Sequence, residues 1–388
     1  MKNKKIKVCA VITNRANFAR MKSFLLEAKK SKKISLQCVL SGSALSRNHG
    51  ILSDELKKNK LPISAKCYFL VNGYEPVLQA KSTSIAINEF SSAFYNLNPD
   101  IVLVVGDRYE VIGAAIAASY MNIPVAHIQG GEVSGNLDES VRHAITKLST
   151  YHFTTSVRSK NRVIKMGENK SNVFFTGCPG MDLINKKNCG IRYQKFSKLS
   201  FTGKSLNLRE PYIVVINHPV SNLNKKKNTD NIKLLLNSLK KVQINKIMFW
   251  PNADAYSEMV SSAIRSFRET EKNKKNDFTF FVNLDPELYI SLLYNARCLI
   301  GNSSSFIREG SQMGKPAVIL GERQKGREVG KNVIFSNYDQ DQIIKNLKIQ
   351  IKKNKFKRQK IYGDGSAGKK IVKILEQIKP KLKGQISY

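Results

Sequence analysis

The 388-residue sequence contains no stretch that approaches 18 consecutive apolar residues, so it predicts no membrane-spanning helix. Its first apolar run, residues 8–12, is too short for a signal peptide. The six cysteines include no C-x-x-C pair, which indicates neither a zinc site nor a disulfide framework. We therefore expect no bound metal, and we expect a protein of a reducing compartment, the cytoplasm.

Neither of two common nucleotide-binding fingerprints is present in its proper context. The sequence has no G-x-x-x-x-G-K-[ST] motif, which argues against ATP hydrolysis of the P-loop kind. Residues 363–368 do fit G-x-G-x-x-G, but they follow a Lys/Arg-rich stretch rather than a buried strand. We interpret them as a loop that leads into the last helix, and we expect neither NAD nor any other cofactor.

Acidic residues are scarce, since 29 Asp and Glu face 65 Lys and Arg and leave a net charge of +36. Such an excess is typical of proteins that bind nucleic acid or an anionic surface. Here the lysines lie in short scattered runs that often alternate with Asn, as the codons of an AT-rich genome would favour. No basic stretch carries interleaved aromatic residues of the kind that stack bases. We do not expect a nucleic-acid partner, although a binding role for the charge stays open.

The chain does have a regular alternation of apolar strands and amphipathic helices. Its hydrophobic content of 41% and its length suit a globular protein of two or three domains. Near-continuous apolar strands separated by helices are typical of a parallel sheet covered on both faces. Strands are predicted at 6–12, 36–40, 100–105, 124–128, 212–216, 246–250, 278–282, 297–300 and 317–320. The predicted fold class is α/β, with two Rossmann-like doubly wound domains that face a cleft.

Domain boundaries follow from composition. Residues 1–185 form the predicted N-terminal domain, and residues 186–210, which are polar, basic and without periodicity, form a predicted linker. Residues 211–365 form the C-terminal domain, and residues 366–388 form a final helix and tail.

Charged or amide side chains follow six of the predicted strands, where ligands of such sheets bind. The most informative of these segments is 301–305, Gly-Asn-Ser-Ser-Ser, which precedes a helix that ends at Gly314 and Pro316. Main-chain N–H groups at a helix start and small hydroxyls form an anion site that suits a phosphate. The alternative is an ordinary serine N-cap.

Ten segments together resemble the hydrolysing UDP-N-acetylglucosamine 2-epimerases. They are 14–16, 106–108, 127–135, 138–147, 177–179, 218–220, 251–255, 301–304, 323–328 and 361–365. The resemblance is strongest to the sialic-acid-pathway branch, which includes the epimerase half of the animal bifunctional epimerase/N-acetylmannosamine kinase; no kinase half is expected here. It implies a glycosyltransferase-B type fold, with the sugar on the N-terminal domain and UDP on the C-terminal domain. It also implies a homo-oligomer, a dimer or a tetramer.

The resemblance implies a reaction in which UDP-N-acetylglucosamine and water give N-acetylmannosamine and UDP, for the synthesis of sialic acid or a related nonulosonate. UDP is eliminated across C1–C2, and water then hydrates the glycal so that C2 is inverted. Because the C2 proton is barely acidic, the leaving diphosphate needs cationic and N–H stabilisation, and an acid/base set must act twice. A sister enzyme acting on UDP-N,N'-diacetylbacillosamine, on the way to legionaminic acid, would look very similar. A UDP-sugar glycosyltransferase on the same fold is a second alternative.

The resemblance also assigns roles to residues. The implied catalytic residues are Asp107, Asp138, His218 and Glu132. The implied substrate-binding residues are Arg15, Arg108, Arg142, Asn252, Asp254, Ser303, Ser304, Glu309 and Arg323. Gln129 stands where many relatives carry Glu, and an amide cannot act as a base, so proton transfer falls to the three carboxylates.

Several of these residues have a structural alternative. Arg142 lies four residues after Asp138, so the two could form a plain helix salt bridge. Asp107 and His218 could only shape their loops. His127, at the end of a buried strand, is predicted to be structural.

Overall fold

The computed structural model of the chain describes residues 5–46, 52–71, 73, 75–135, 137–251, 256–270 and 277–383. These residues form two compact units. Within the described residues, unit 1 comprises 5–132, 137–182 and 362–383, and unit 2 comprises 133–135 and 183–361. Along the described chain, every helix is too short or too polar to span a bilayer.

Unit 1 contains a seven-stranded parallel sheet in the order β3-β2-β1-β4-β5-β6-β7. Its strands are β1 Ile6–Ile12, β2 Ile34–Ser41, β3 Ala65–Cys67, β4 Ile101–Val105, β5 Val125–Ile128, β6 Tyr151–Thr154 and β7 Val173–Phe175. Its helices are α1 Arg15–Lys30, α2 Ser53–Lys58, α3 Pro76–Leu97, α4 Tyr109–Tyr120, α5 Asp138–Leu148 and α6 Val157–Lys165. Along β1, Val8 and Ala10 join one apolar core while Cys9 and Val11 join another. Since side chains alternate along a strand, helices cover both faces of the sheet, which is why the strands are apolar throughout.

Unit 2 contains a second seven-stranded sheet in the order β14-β13-β12-β9-β10-β11-β8, in which β8 alone runs antiparallel to its neighbour. Its strands are β8 Thr202–Gly203, β9 Tyr212–Ile216, β10 Asn245–Phe249, β11 Phe278–Phe281, β12 Cys298–Gly301, β13 Ala317–Leu320 and β14 Val333–Ser336. Its helices are α7 Lys186–Cys189, α8 Tyr193–Phe196, α9 Lys225–Lys240, α10 Ser257–Thr270, α11 Pro286–Asn295, α12 Ser304–Met313 and α13 Gln340–Lys353.

The last helix, α14 Ala367–Leu375, belongs to unit 1 and contributes Ile371 and Leu375 to the core around α1. The Asp182 carboxylate accepts hydrogen bonds from the main-chain N–H groups of Ala367 (3.0 Å) and Gly368 (2.8 Å). These N–H groups have no acceptor within their own helix, so Asp182 caps α14 from a distant part of the chain. Residues 363–366 of the G-x-G-x-x-G segment thus form a loop that leads into the last helix, as the sequence predicts, and residues 367–368 begin that helix.

The predicted strands are all present, and β1, β9 and β13 have the predicted bounds. The predicted linker, 186–210, lies within unit 2, where it supplies α7, α8 and β8. Three of its apolar side chains, Cys189, Phe196 and Leu208, are buried, and they anchor the segment to unit 2. The chain returns to unit 1 at residue 362, three residues before the predicted end of the C-terminal domain.

Each sheet has one point where the strand order reverses. In unit 1 the chain builds outward from β1 to β3 and then from β4 to β7, so β1 and β4 are neighbours. In unit 2 the equivalent neighbours are β9 and β12. Ligands of doubly wound sheets bind at this reversal, beyond the carboxyl ends of the strands.

Candidate active site

In unit 1 the loops after β1 and β4 are fixed by the start of α1. Asn14 is the N-cap of this helix, and its side-chain oxygen accepts from the N–H of Asn17 at 2.8 Å. The side-chain amide of Asn17 in turn donates to the carbonyl of Val105, the last residue of β4, at 2.9 Å. Arg15 therefore lies in the first turn of α1, at the end of the sheet where Asp107 follows β4.

The central contact of unit 1 is an ion pair between Asp107 and Arg142. Arg142, on α5, pairs through Nη2 with Oδ2 of Asp107, and its Nη1 donates to the carbonyl of Glu132 at 2.7 Å. The Arg142 side chain is 1% exposed and that of Asp107 is 18% exposed, so the carboxylate is the accessible member. Asp138 lies one turn earlier on the same helix, in its first turn. The structure thus shows Arg142 in an ion pair with Asp107, 35 residues away in the sequence.

Glu132 is buried, and its two polar ends have different partners. Its carboxylate Oε1 accepts from the hydroxyl of Thr155 at 2.5 Å, beyond the end of β6. Its main-chain carbonyl accepts from Arg142. Glu132 therefore joins the Asp107–Arg142 pair through its main chain.

Arg108 forms a second ion pair, with Glu110 in the first turn of α4. Arg108 Nε lies 2.9 Å from Oε2 of Glu110, and Nη2 lies 3.2 Å from Oε1. Here the arginine side chain is 20% exposed and the glutamate side chain is completely buried. The exposure of the two charges is the reverse of that in the Asp107–Arg142 pair.

His127, at the carboxyl end of β5, supports the turn that carries Asp107. Its Nε2 lies 2.8 Å from the carbonyl oxygen of Gly106, and its Nδ1 lies 3.3 Å from the hydroxyl of Thr146. Burial lowers the pKa of His127 to about 3, although the hydrogen bond to Gly106 acts in the opposite direction. The ring is therefore neutral near pH 7, and Nε2–H donates to Gly106, whose φ is 88°. This arrangement agrees with the predicted structural role.

Gln129 adopts a backbone conformation that is unusual for a residue other than glycine. Its φ is 75°, its side chain is almost completely buried, and its Nε2 donates to Sγ of Cys178 at 3.4 Å. Its Oε1 lies 3.4 Å from Nη1 of Arg20. Strained residues at a strand end are common in functional sites. The amide thus occupies a defined place beside Gly106 without offering a base.

In unit 2 the loops after β9 and β12 are joined by Asn302, which is completely buried. Its Oδ1 accepts from the main-chain N–H of His218 at 2.8 Å, and its Nδ2 donates to the carbonyl of His218 at 2.8 Å. Its own carbonyl accepts from Nη1 of Arg323 at 3.3 Å and from Nε2 of Gln324 at 3.0 Å. One asparagine thereby contacts His218, an implied catalytic residue, and Arg323, an implied substrate-binding residue.

The serines follow Asn302 directly. Ser303 is the N-cap of α12, and its hydroxyl oxygen accepts from the N–H of Ser305 at 3.4 Å. This is the capping role that the sequence offered as an alternative. A hydroxyl that accepts one hydrogen bond still has a proton to donate, so capping is compatible with anion binding. Ser304 is the first residue of the helix, and Glu309, 9% exposed, lies in its second turn.

The structure therefore collects the predicted residues into two groups. Around the end of β4 it brings together Asp107, Arg108 and Arg142 with the main chain of Glu132, and Asp138 lies on the helix of Arg142. Around Asn302 it brings together His218, Ser303 and Arg323. Asn252 and Asp254 lie outside the described residues.

Three further residues were not predicted. Asn302 lies within a predicted motif, but its partner His218 is 84 residues away. The neighbouring sequence does not show that Asn302 binds the main chain of another loop while the serines beside it begin a helix. Glu110 has the sequence of any acidic residue in a first helical turn. Gln324 accepts from Nε of Arg327 at 2.8 Å in addition to its bond with Asn302, a contact that sequence spacing does not reveal.

Comparison with known proteins identifies relatives that are consistent with the resemblance of the sequence motifs. The profile of a family described as UDP-N-acetylglucosamine 2-epimerase matches residues 26–376. The chain is 31% identical over 377 residues to the hydrolysing UDP-N,N'-diacetylbacillosamine 2-epimerase of Legionella pneumophila, a match that covers 96% of both proteins. It is 32% identical over 349 residues to the hydrolysing GDP/UDP-N,N'-diacetylbacillosamine 2-epimerase of Campylobacter jejuni, covering 88% of both.

A solved structure shares the fold. The crystal structure of Methanocaldococcus jannaschii UDP-GlcNAc 2-epimerase in complex with UDP-GlcNAc and UDP matches with a TM-score of 0.78 at 19% identity, over 95% of this chain and 99% of that one. The predicted fold class, two Rossmann-like units of the glycosyltransferase-B type, is confirmed.

Proposed function

Because the chain belongs to the UDP-N-acetylglucosamine 2-epimerase family, we propose that it is a hydrolysing 2-epimerase, which converts a UDP-2-acetamido sugar and water into the free C2-inverted sugar and UDP. The observation that carries the proposal is the ion pair of Asp107 with Arg142 at the strand reversal of unit 1. Its buried guanidinium orients an accessible carboxylate, as a residue that moves protons requires.

In this proposal unit 2 holds the nucleotide. His218, Arg323 and the serines at the start of α12 bind the diphosphate, since cationic groups, hydroxyls and a helix N-terminus all favour a phosphate. These groups stabilise the negative charge that UDP gains as the C1–O bond breaks. Glu309 binds the ribose, and from the sequence alone Asn252 and Asp254 complete the nucleotide pocket.

Unit 1 acts on the sugar. In the first step a carboxylate takes the C2 proton while the C1–O bond breaks, which leaves a glycal and UDP. In the second step water adds to C1 as a hydroxyl and gives up its other proton to a carboxylate, while a proton is delivered to C2 on the opposite face. We assign the proton transfers to Asp107 and Asp138, with Glu132 as the third candidate, and Arg15 to the diphosphate. Since Gln129 holds no exchangeable acid proton of useful pKa, it takes no part in them.

The sugar substituents are the finer part of the proposal. Both relatives named above are described as acting on N,N'-diacetylbacillosamine derivatives, which carry a second acetamido group. We therefore propose UDP-N,N'-diacetylbacillosamine as the first substrate to test. The alternative is UDP-N-acetylglucosamine, with N-acetylmannosamine as its product, and it rests on the resemblance of the sequence motifs.

The test is turnover of each UDP-sugar in D₂O, followed by NMR of the free sugar. We expect release of UDP with water alone, inversion at C2, and solvent deuterium at C2 of the product. A product that keeps the C2 hydrogen of the substrate would falsify the elimination mechanism. Release of UDP only after addition of an acceptor sugar would instead identify a glycosyltransferase.

A further inference from the structure

Asp107 and Arg108 are consecutive residues that present opposite charges at the end of β4. Each is paired with a buried partner of the opposite charge, Arg142 for Asp107 and Glu110 for Arg108. In the first pair the buried arginine orients a more accessible carboxylate. In the second pair the buried glutamate orients a more accessible guanidinium.

Burial of the Glu110 carboxylate costs free energy. Its side chain has no exposed surface, although a carboxylate loses much hydration energy in an apolar environment. Two contacts compensate for this loss: the two-point pair with Arg108 and the position in the first turn of α4, where the helix dipole favours a negative charge. A two-point pair with a planar guanidinium fixes the plane of the arginine as well as its distance.

The orientation matters because Arg108 remains 20% exposed at the end of the sheet. A guanidinium has five N–H donors, and Glu110 accepts from two of its nitrogens, Nε and Nη2. Arg108 also lies over the ring of Tyr109, with Cζ 5.5 Å from the ring centre. Carboxylate and ring together restrict the orientation of the guanidinium.

We propose that Glu110 is a positioning residue, which holds the Arg108 guanidinium against an oxygen of the substrate sugar. This rests on the proposed function, since it requires a sugar at unit 1. Glu110 itself does not contact the substrate. Its loss therefore changes the geometry of Arg108 and leaves the groups that bind UDP intact.

The experiment compares Glu110→Gln with Glu55→Gln in the full chain. Glu55, in the first turn of α2, pairs with Lys22 at 2.7 Å, and both side chains are nearly buried, so it matches Glu110 as a paired carboxylate of unit 1. We expect Glu110→Gln to lower kcat/KM for the UDP-sugar by about 10²-fold, because misplacement of a positioning group by about 1 Å has effects of this size. Inhibition by UDP should be unchanged. Glu55→Gln should lower only the melting temperature.

A double variant tests whether Glu110 acts through Arg108. If it does, Glu110→Gln combined with Arg108→Gln should be no slower than Arg108→Gln alone, because the two losses are the same loss. Additive effects would overturn the proposal, as would a Glu110→Gln variant whose kcat/KM equals that of Glu55→Gln. If Glu110→Gln does not fold, Glu110→Asp keeps the charge and withdraws the carboxylate by one methylene, and wild-type kcat/KM in that variant overturns the proposal. A wild-type protein that turns over no UDP-sugar overturns the proposed function itself.

Discussion

Two candidate residues of unit 1 are held by ion pairs between side chains, whereas a neutral amide bound to the main chain holds His218 in unit 2. In unit 1, Asp107 and Arg108 each pair with an opposite charge. In unit 2, Asn302 exchanges two hydrogen bonds with the main chain of His218. Charged side chains that are aimed by a partner suit proton transfer, and a rigid main-chain frame suits the binding of an anion of fixed shape. The comparison therefore predicts that unit 1 controls the rate and unit 2 controls nucleotide affinity.

The strongest test of this division is Asp107→Asn. The amide keeps the shape of the carboxylate and can still accept from Arg142, but it has lost its basicity. We expect kcat to fall by a factor on the order of 10²–10⁴, with little change in UDP affinity by calorimetry. Asp182→Asn is the control, since it alters another partly buried carboxylate of unit 1, the one that caps α14. Unchanged kcat in Asp107→Asn would show that Asp107 does not transfer the proton. Asp138 or Glu132 would then be the residue that does so.

The converse test is Asn302→Asp in unit 2. Aspartate cannot donate to the carbonyl of His218, and it adds a buried negative charge beside the proposed diphosphate. We expect UDP affinity to fall by roughly 10²-fold or more, because a lost buried hydrogen bond and a like charge each cost about 1–3 kcal/mol or more. Asn228→Asp is a matched control, since Asn228 exchanges the same two hydrogen bonds with the main chain of Val220.

These two variants also separate an effect on the stability of unit 2 from an effect on UDP binding. If Asn228→Asp weakens UDP binding as much as Asn302→Asp does, the effect comes from the stability of unit 2 and not from the position of His218. Equal melting temperatures with unequal affinities are the expected outcome.

The sequence predicts the fold well and the site in part. Continuous apolar strands such as 101–105 and 212–216 define a covered parallel sheet, and the residues that follow them define its binding edge. Sequence spacing does not show which carboxylate meets which arginine. Arg142 lies four residues from Asp138, yet the structure also pairs it with Asp107, 35 residues away in the sequence. Burial is equally hidden, since Glu110 and an exposed acidic residue have the same sequence pattern at a helix start.

A smaller effect is expected at the serines. Ser303→Ala combined with Ser304→Ala should weaken UDP binding by about 10- to 100-fold, since a hydrogen bond to a charged group contributes roughly 1.5–3 kcal/mol. Calorimetry with UDP and the melting temperature measure the two roles of Ser303 separately. Unchanged affinity with a lowered melting temperature would mean that the serines serve only to cap α12. The proposed anion site of unit 2 would then consist of the residues that Asn302 holds, His218 and Arg323.

Stability in acid is a further property in which the charged contacts of unit 1 should distinguish it from unit 2. Glu168 in unit 1 lies within 3.2 Å of His152, 2.7 Å of Lys147 and 2.8 Å of Lys383. Burial acts to raise the pKa of Glu168, but hydrogen bonds from His152, Lys147 and Lys383 outweigh it and hold the pKa at about 2.

A carboxyl whose pKa is lower in the folded than in the unfolded state stabilises the fold above the unfolded pKa, which for Glu is about 4.3. This contribution is therefore complete near pH 6 and is lost as the pH falls from about 4.3 towards 2. We expect hydrogen exchange to detect opening of unit 1 over this pH range. Glu168→Gln should lower the stability of unit 1 at pH 6 and should make that stability less dependent on pH in acid. Glu210→Gln is the control in unit 2, because hydrogen bonds from Asn245 and Asn207 lower the pKa of Glu210 as well, but its carboxylate is exposed to solvent. Screening by water should make that variant nearly silent. Equal acid dependence in both variants would show that the paired charges of unit 1 do not set its stability, and the contrast between the units would then hold only for the ligand-binding residues.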